Sequence, residues 1–162
     1  VWDVEHWSMG SRRAGSYMGE FTTDHNVVTN EGLDALLNIM FHGTAQVGTW
    51  YVALFNDNHT PVSGDTYGTP GYTESTAYTE AARQAFTEAT ASGESITNSA
   101  NKASFTMNTS CTIYGGALVS NATKGDTAAS AYLFGAAQFS SLKSCASGDV
   151  LKITVTVTVA ST

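Results

Sequence analysis

The sequence predicts a mainly β protein: a single antiparallel, jelly-roll-like β-sandwich with one inserted α-helix at about residues 30–42. Three stretches carry that prediction. The closing segment "VLKITVTVTV" (150–159) sends Leu151, Ile153, Val155, Val157 and Val159 one way and Lys152, Thr154, Thr156 and Thr158 the other, the two-residue period of a half-buried strand. "TWYVALFN" (49–56) is apolar on both faces, Trp50/Val52/Leu54 and Tyr51/Ala53/Phe55, so it needs a cover on each side. "VVTNEGLDALLNIMFHGT" (27–44) has a helical period instead.

From the N-terminus, "VWDVEHW" (1–7) is a short β-type run with Trp2, Val4 and His6 on one face. "SMGSRRAG" (8–15) is a turn or loop carrying the paired positive charges Arg12 and Arg13. Residues 1–15 therefore form a strand and loop that can stand apart as an arm, with the sandwich domain at 16–162. "SYMGEFTTDHNVV" (16–28) resumes as a strand and leads into the helix.

In the helix, Thr29 is the N-cap, and Val28 and Leu33 are spaced as a hydrophobic staple. Glu31 and Asp34 suit the positive end of the helix dipole, and Gly43 is placed to end the helix with a positive φ. Leu33, Leu36, Leu37, Met40 and Phe41 recur as one apolar stripe, opposite Asn30, Asp34, Asn38 and His42. Such a stripe is expected to pack into the core, over one face of 49–56 or an open end of the sandwich.

Beyond it, 56–71 is a turn-rich loop holding both prolines, Pro61 and Pro70. "YTESTAYTE" (72–80) and "RQAFTEAT" (83–90) read as strands. Within 92–108 a short strand is followed by Ala103, Phe105 and Met107 alternating with Ser104, Thr106 and Asn108. "TIYGGALVS" (112–120) carries Gly115-Gly116, the mark of a bulge or a close backbone approach. "AYLFGAAQFSS" (131–141) and the closing strand complete the set, with Trp50 and Phe105 expected in the core. Strands spaced by turns in this way indicate a sandwich or barrel.

A chain of 162 residues is long enough for one domain with a real core. Charged residues make up 13%, about half the usual ~25% share, so Thr, Ser, Asn and Gly supply the polar surface. The formal charge of −7 repels phosphate backbones and anionic lipid, which argues against nucleic-acid and membrane-surface partners. No apolar run approaches the ~20 residues of a membrane-spanning helix. The opening "VWDVEHW" lacks the pattern of a secretion signal, so synthesis in a cytoplasm is expected, with Cys111 and Cys145 as free thiols.

No motif names a reaction. His6, His25, His42 and His59 sit in different contexts, none beside a nucleophile turn of the Gly-x-Ser-x-Gly kind. Asp57, Asn58, His59 and Asp65 are potential metal ligands, but they lack a calcium-loop spacing and read as turn formers. Glu74, Glu80 and Glu88 read as outward-facing strand positions rather than paired catalytic carboxylates. The expectation is a protein without catalytic residues, cofactor or metal.

Four segments carry a resemblance: "HNVVTNEGLDALLNIMFHGTAQVGTWYVALFND", "GYTESTAYTEAARQAFTEATASGESITNSANKASFTMN", "GGALVSNATKGD" and "GDVLKITVTVTVA". Together they resemble a family of small virion structural proteins of tailed bacteriophages, the capsid decoration (cement) proteins, some of whose members are labelled tail or fibre proteins. The resemblance implies a homotrimer on the outer surface of the phage head, made in the host cytoplasm, binding the major capsid protein and stabilising the assembled shell. The alternative it leaves is a tail or fibre component that contacts the host surface or a glycan. For a capsid role, Trp2, Trp7, Arg12 and Arg13 are the candidate contacts: two aromatic anchors and a basic loop on an acidic domain. The competing reading has 1–7 as an edge strand of the protein's own sheet, with a solvated loop after it.

Overall fold

The computed structural model describes residues 1–8 and 17–159. In chain order its elements are β1 (Trp2–Trp7), β2 (Tyr17–Asp24), β3 (Val27–Val28), α1 (Asn30–Phe41), β4 (Tyr51–Phe55), β5 (Gln84–Ala85), β6 (Ser95–Thr97), β7 (Ala103–Thr106), β8 (Cys111–Val119), β9 (Leu133–Cys145) and β10 (Val150–Thr158). They form the expected sandwich with one inserted helix. One antiparallel sheet runs β2-β1-β10-β6, with β7 also pairing β10; the other runs β3-β9-β8-β4-β5.

The alternation that predicted β10 sets the core. Leu151, Ile153 and Val155 are buried and pack with Trp2 and Val4 of β1 and Ala103 and Phe105 of β7. Val52 and Leu54, Ile113 and Leu118, and Ala137 and Phe139 meet them from the second sheet. Residues 2–7 are thus an inner strand, not an arm: β1 lies between β2 and β10, with Trp2 opposite Val155 and Val4 opposite Ile153. Burying the Trp2 indole is the physical reason. It lies over Gly116, where a Cβ would come 2.6 Å from the ring. Gly115 likewise makes room for the Phe55 ring, at a register shift between β8 and β9. The glycine pair marks a close approach, as its sequence suggests.

β4 is buried on both faces, but α1 does not supply the second cover. Ala53, with Ala117, Val119, Leu133 and Ala136, is roofed by Tyr67 of the 56–71 loop, with Tyr72 and Ala131 alongside. Phe55 stacks on Tyr72 at 4.8 Å between ring centroids. This roof is pinned by Arg83, which is 4% exposed and makes a bidentate pair with Glu74 at 2.9 and 2.5 Å. The same guanidinium donates to the Tyr67 hydroxyl and to the carbonyls of Asn121 and Asp126.

That network also explains why 72–80 and 83–90 are not the regular strands their sequences suggest. Only Gln84–Ala85 forms a strand there, with isolated bridges at Glu74 and Tyr78. The Glu74 carboxylate is spent on Arg83 and the Gly125 N–H, and that of Glu80 accepts the Thr106 N–H. Glu74, expected to face solvent, is thus tied into the roof and Glu80 to β7, whereas Glu88 is exposed as expected.

Candidate interaction surface

The helix forms where the sequence places it, and its caps are those expected. Thr29 Oγ1 accepts the Gly32 N–H at 3.0 Å, the His42 N–H donates to the Asn38 carbonyl, and Gly43 follows at φ +74°. The N-terminal turn is fastened to the sandwich by a side chain as well as by backbone. The Glu31 carboxylate accepts the N–H groups of Tyr67 and Leu133 at 2.8 and 2.7 Å, and the Thr29 N–H donates to the Phe134 carbonyl at 3.1 Å.

The helix does not pack by its leucine stripe. Gly32 and Ala35 are its buried residues, with Ile39 half-buried one turn further on. These lie on a face of small side chains about a third of a turn away from the stripe. Leu33 is 46% exposed, Leu37 55%, Met40 65% and Phe41 81%. The expectation that the stripe is core is corrected. Gly32 sits against the Phe134 backbone, and that contact turns the bulky residues outward.

Beside the stripe runs an apolar groove of about 510 Å³ between α1 and the neighbouring end of the sandwich. Leu36 and Met40 form one wall; Trp50, Phe86, Ile96 and Val157 line the rest. Trp50 is therefore only partly buried rather than a core residue, with its ring edge-on to Phe134 at 5.6 Å. One rim is the turn Ser92–Ser95, where Gly93 and Glu94 both have positive φ (58° and 62°), the signature of a type I′ hairpin turn. Glu94 there is a non-glycine residue held in a sparsely populated conformation. No single motif marks this groove in the sequence. Its walls come from segments far apart in the chain, and only the helix half of it has a legible pattern.

Of the four residues proposed for capsid contact, the two that are described, Trp2 and Trp7, do not share a face. Trp2 is 1% exposed and belongs to the core, which withdraws it from any surface. Trp7 ends β1 on the opposite side of the sheet, half-buried, with Lys152 Nζ 4.7 Å from its ring centroid and its indole N–H donated to Glu5. Arg12 and Arg13 lie outside the described residues.

Of the polar residues weighed for chemistry, His25 and His42 are exposed, and the others named here are engaged structurally. His59 Nε2 lies 2.9 Å from Asp65, whose carboxylate also accepts the Val62 N–H. Asp57 accepts the Thr73 N–H, and Asn58 accepts from Gln138. His6 meets Asp149 at 3.0 Å, and the same carboxylate accepts the Ala146 N–H in the β9–β10 turn. Among the described residues, no three His, Cys, Asp or Glu side chains gather to hold a metal ion. No described helix is long and apolar enough to cross a membrane.

Cys111 and Cys145 are free thiols placed directly opposite each other on β8 and β9. Burial pushes the Cys145 thiol up to about 12, with the neighbouring Cys111 and Asp149 adding to the shift. Burial raises Cys111 as well. Both are poor nucleophiles at neutral pH. Comparison of the chain with protein-family models and with curated proteins gives no match.

Proposed function

We propose that this protein is a non-catalytic structural component that works by protein–protein association, and that its setting is the phage virion, as a decoration protein on the assembled head. The exposed stripe of α1 carries the reading. A protein that leaves Phe41, Met40 and Leu37 in water holds an apolar patch of the kind that marks an interaction site. The acidic, charge-poor composition supports it, because such a surface is repelled by packaged DNA and suits repeated contact with protein. The four sequence segments that resemble phage decoration proteins supply the identity of the particle.

On this reading the partner is the major capsid protein and the working form is a homo-oligomer, a trimer by the resemblance. The mechanism is avidity. One oligomer bridging several shell subunits converts later contacts into intramolecular ones, so modest individual contacts sum to firm attachment. The test is to add the purified protein to heads of the encoding phage that lack it and to image them by electron microscopy. Regular density on the icosahedral shell is expected. Density confined to the tail would replace this reading with the tail or fibre alternative, and absence from the particle would reject both.

A further inference from the structure

We propose that the groove beside α1 takes an amphipathic helical segment of another protein, apolar on the side that enters the groove and carrying lysine or arginine where it meets Glu88 and Glu94. The inference deepens the proposed function and rests on its reading of the protein as an associating module. It states the chemistry that the partner's segment must have.

The two walls of the groove differ. From Leu36 to Phe41 the helix wall carries no charged side chain. The wall formed by residues 86–96 supplies Phe86 and Ile96 to the recess and Glu88 and Glu94 beside them. Among the described residues lining the groove, none is Lys or Arg. The volume of about 510 Å³ lies within the ~300–1,000 Å³ range of ligand pockets, which combine apolar walls with a few polar groups that orient the ligand.

Charge selects the partner. Most of the protein's carboxylates are already engaged: Glu5 pairs with Lys102 and Glu74 with Arg83, while Glu31 and Glu80 accept backbone N–H groups. Among the described residues, only Asp34, Glu88 and Glu94 have carboxylates without a hydrogen bond or ion pair of their own. Two of those three line the groove. Glu94 is held on the rim by its turn, at φ +62°, with its carbonyl accepting the Val159 N–H. An apolar recess with two unneutralised carboxylates attracts a basic segment and repels an acidic one, a second copy of this −7 chain included.

Backbone pairing selects its conformation. Along the rim the Phe86 N–H donates to Trp50, the Ala89 N–H to Thr97, and Ser92 and Ser95 bond each other. On its other side β6 is paired with β10. This rim therefore offers no row of open N–H and C=O groups for an added strand. Recognition falls to side chains, which is how a groove receives the apolar face of a helix. Met40 and the edge-on pair Trp50 and Phe134 supply an adaptable wall and an aromatic one.

Isothermal titration of the full chain with three synthetic helical peptides tests the proposal. All carry the same leucine stripe, flanked by lysines, glutamines or glutamates. The lysine peptide should bind most tightly and weaken as salt rises. Glu88→Gln and Glu94→Gln should each weaken it about two- to fivefold, the scale of an exposed ion pair. Asp34→Asn, which removes one charge outside the groove, should leave binding unchanged. Leu36→Gln with Met40→Gln should weaken binding tenfold or more with circular dichroism unchanged. A lysine peptide that fails to bind, or binds no better than the others, would overturn the proposal. So would Asp34→Asn matching the two groove variants, or self-association of the chain that Leu36→Gln with Met40→Gln abolishes. Head binding is scored separately. Groove variants that decorate heads as wild type does reject this inference and keep the proposed function; a chain that takes the lysine peptide in its groove but ignores heads does the reverse.

Discussion

A Cβ on Gly32 would lie 2.3 Å from the carbonyl oxygen of Phe134, closer than any real contact of that kind. The two backbones touch, and that contact fixes which side of α1 faces the protein. It inverts the assignment that hydrophobic periodicity alone suggests.

Gly32→Ala should therefore be the damaging helix mutation, because backbone cannot yield as a flexible side chain does. Overpacking of this kind costs about 1–3 kcal/mol. Leu37→Ala and Phe41→Ala, at exposed positions, should change monomer stability by no more than about 0.5 kcal/mol. Urea unfolding under dilute conditions measures both. A loss of several kcal/mol on truncating Leu37 would restore the stripe to the core.

Arg83 should be the most sensitive polar position. Burial alone would lower its pKa, but the Glu74 carboxylate and the Tyr67 hydroxyl hold the guanidinium charged, above its ordinary value. Arg83→Met strands a buried Glu74 carboxylate, a loss of about 3–5 kcal/mol. Arg83→Met combined with Glu74→Leu should recover part of it, since the uncompensated charge is then gone. Thermal melts of the two singles and the double give the coupling; additive effects would show that the pair acts independently.

Acid should loosen the protein through Glu5 and Asp126. Burial alone would raise the Glu5 pKa, but hydrogen bonds from Lys102 and Trp7 outweigh it and leave it lowered. The Ala128 N–H and then the Tyr67 hydroxyl lower Asp126. A carboxylate depressed on folding contributes stability above its unfolded pKa, ordinarily ~4, and loses it as pH falls through the folded value. Melting temperature should drop below about pH 4. Glu5→Gln with Asp126→Asn should flatten that part of the profile, and an unchanged slope would clear both residues.

Cys111 and Cys145 should form a cross-strand disulfide when a diamide-type oxidant removes two electrons and two protons from the pair. Their raised pKa values make the reaction slow at pH 7 and faster as pH rises. The bridge should stabilise the protein by about 2–4 kcal/mol through the unfolded chain, with Cys145→Ser as the control. Two thiols still titratable after prolonged oxidation would show that the pair cannot close.

Local patterns were enough for α1 and β10, though not for 72–80 and 83–90, where only Gln84–Ala85 is a strand. The β10 alternation, the Thr29 cap with Gly43 as the stop, and the Gly115-Gly116 close approach all follow from side-chain period and backbone permissiveness, properties of neighbouring residues. Only the tertiary structure decided which faces are covered. The stripe of α1 shows that Leu33, Leu37 and Met40 share a side, yet period cannot say whether that side meets core or water. A contact with Phe134, about a hundred residues away, settles it. The Arg83 roof, the burial of Trp2 between the sheets and the groove beside α1 were illegible for the same reason. Each joins side chains from distant segments, and the sequence of any one segment holds no record of its partners.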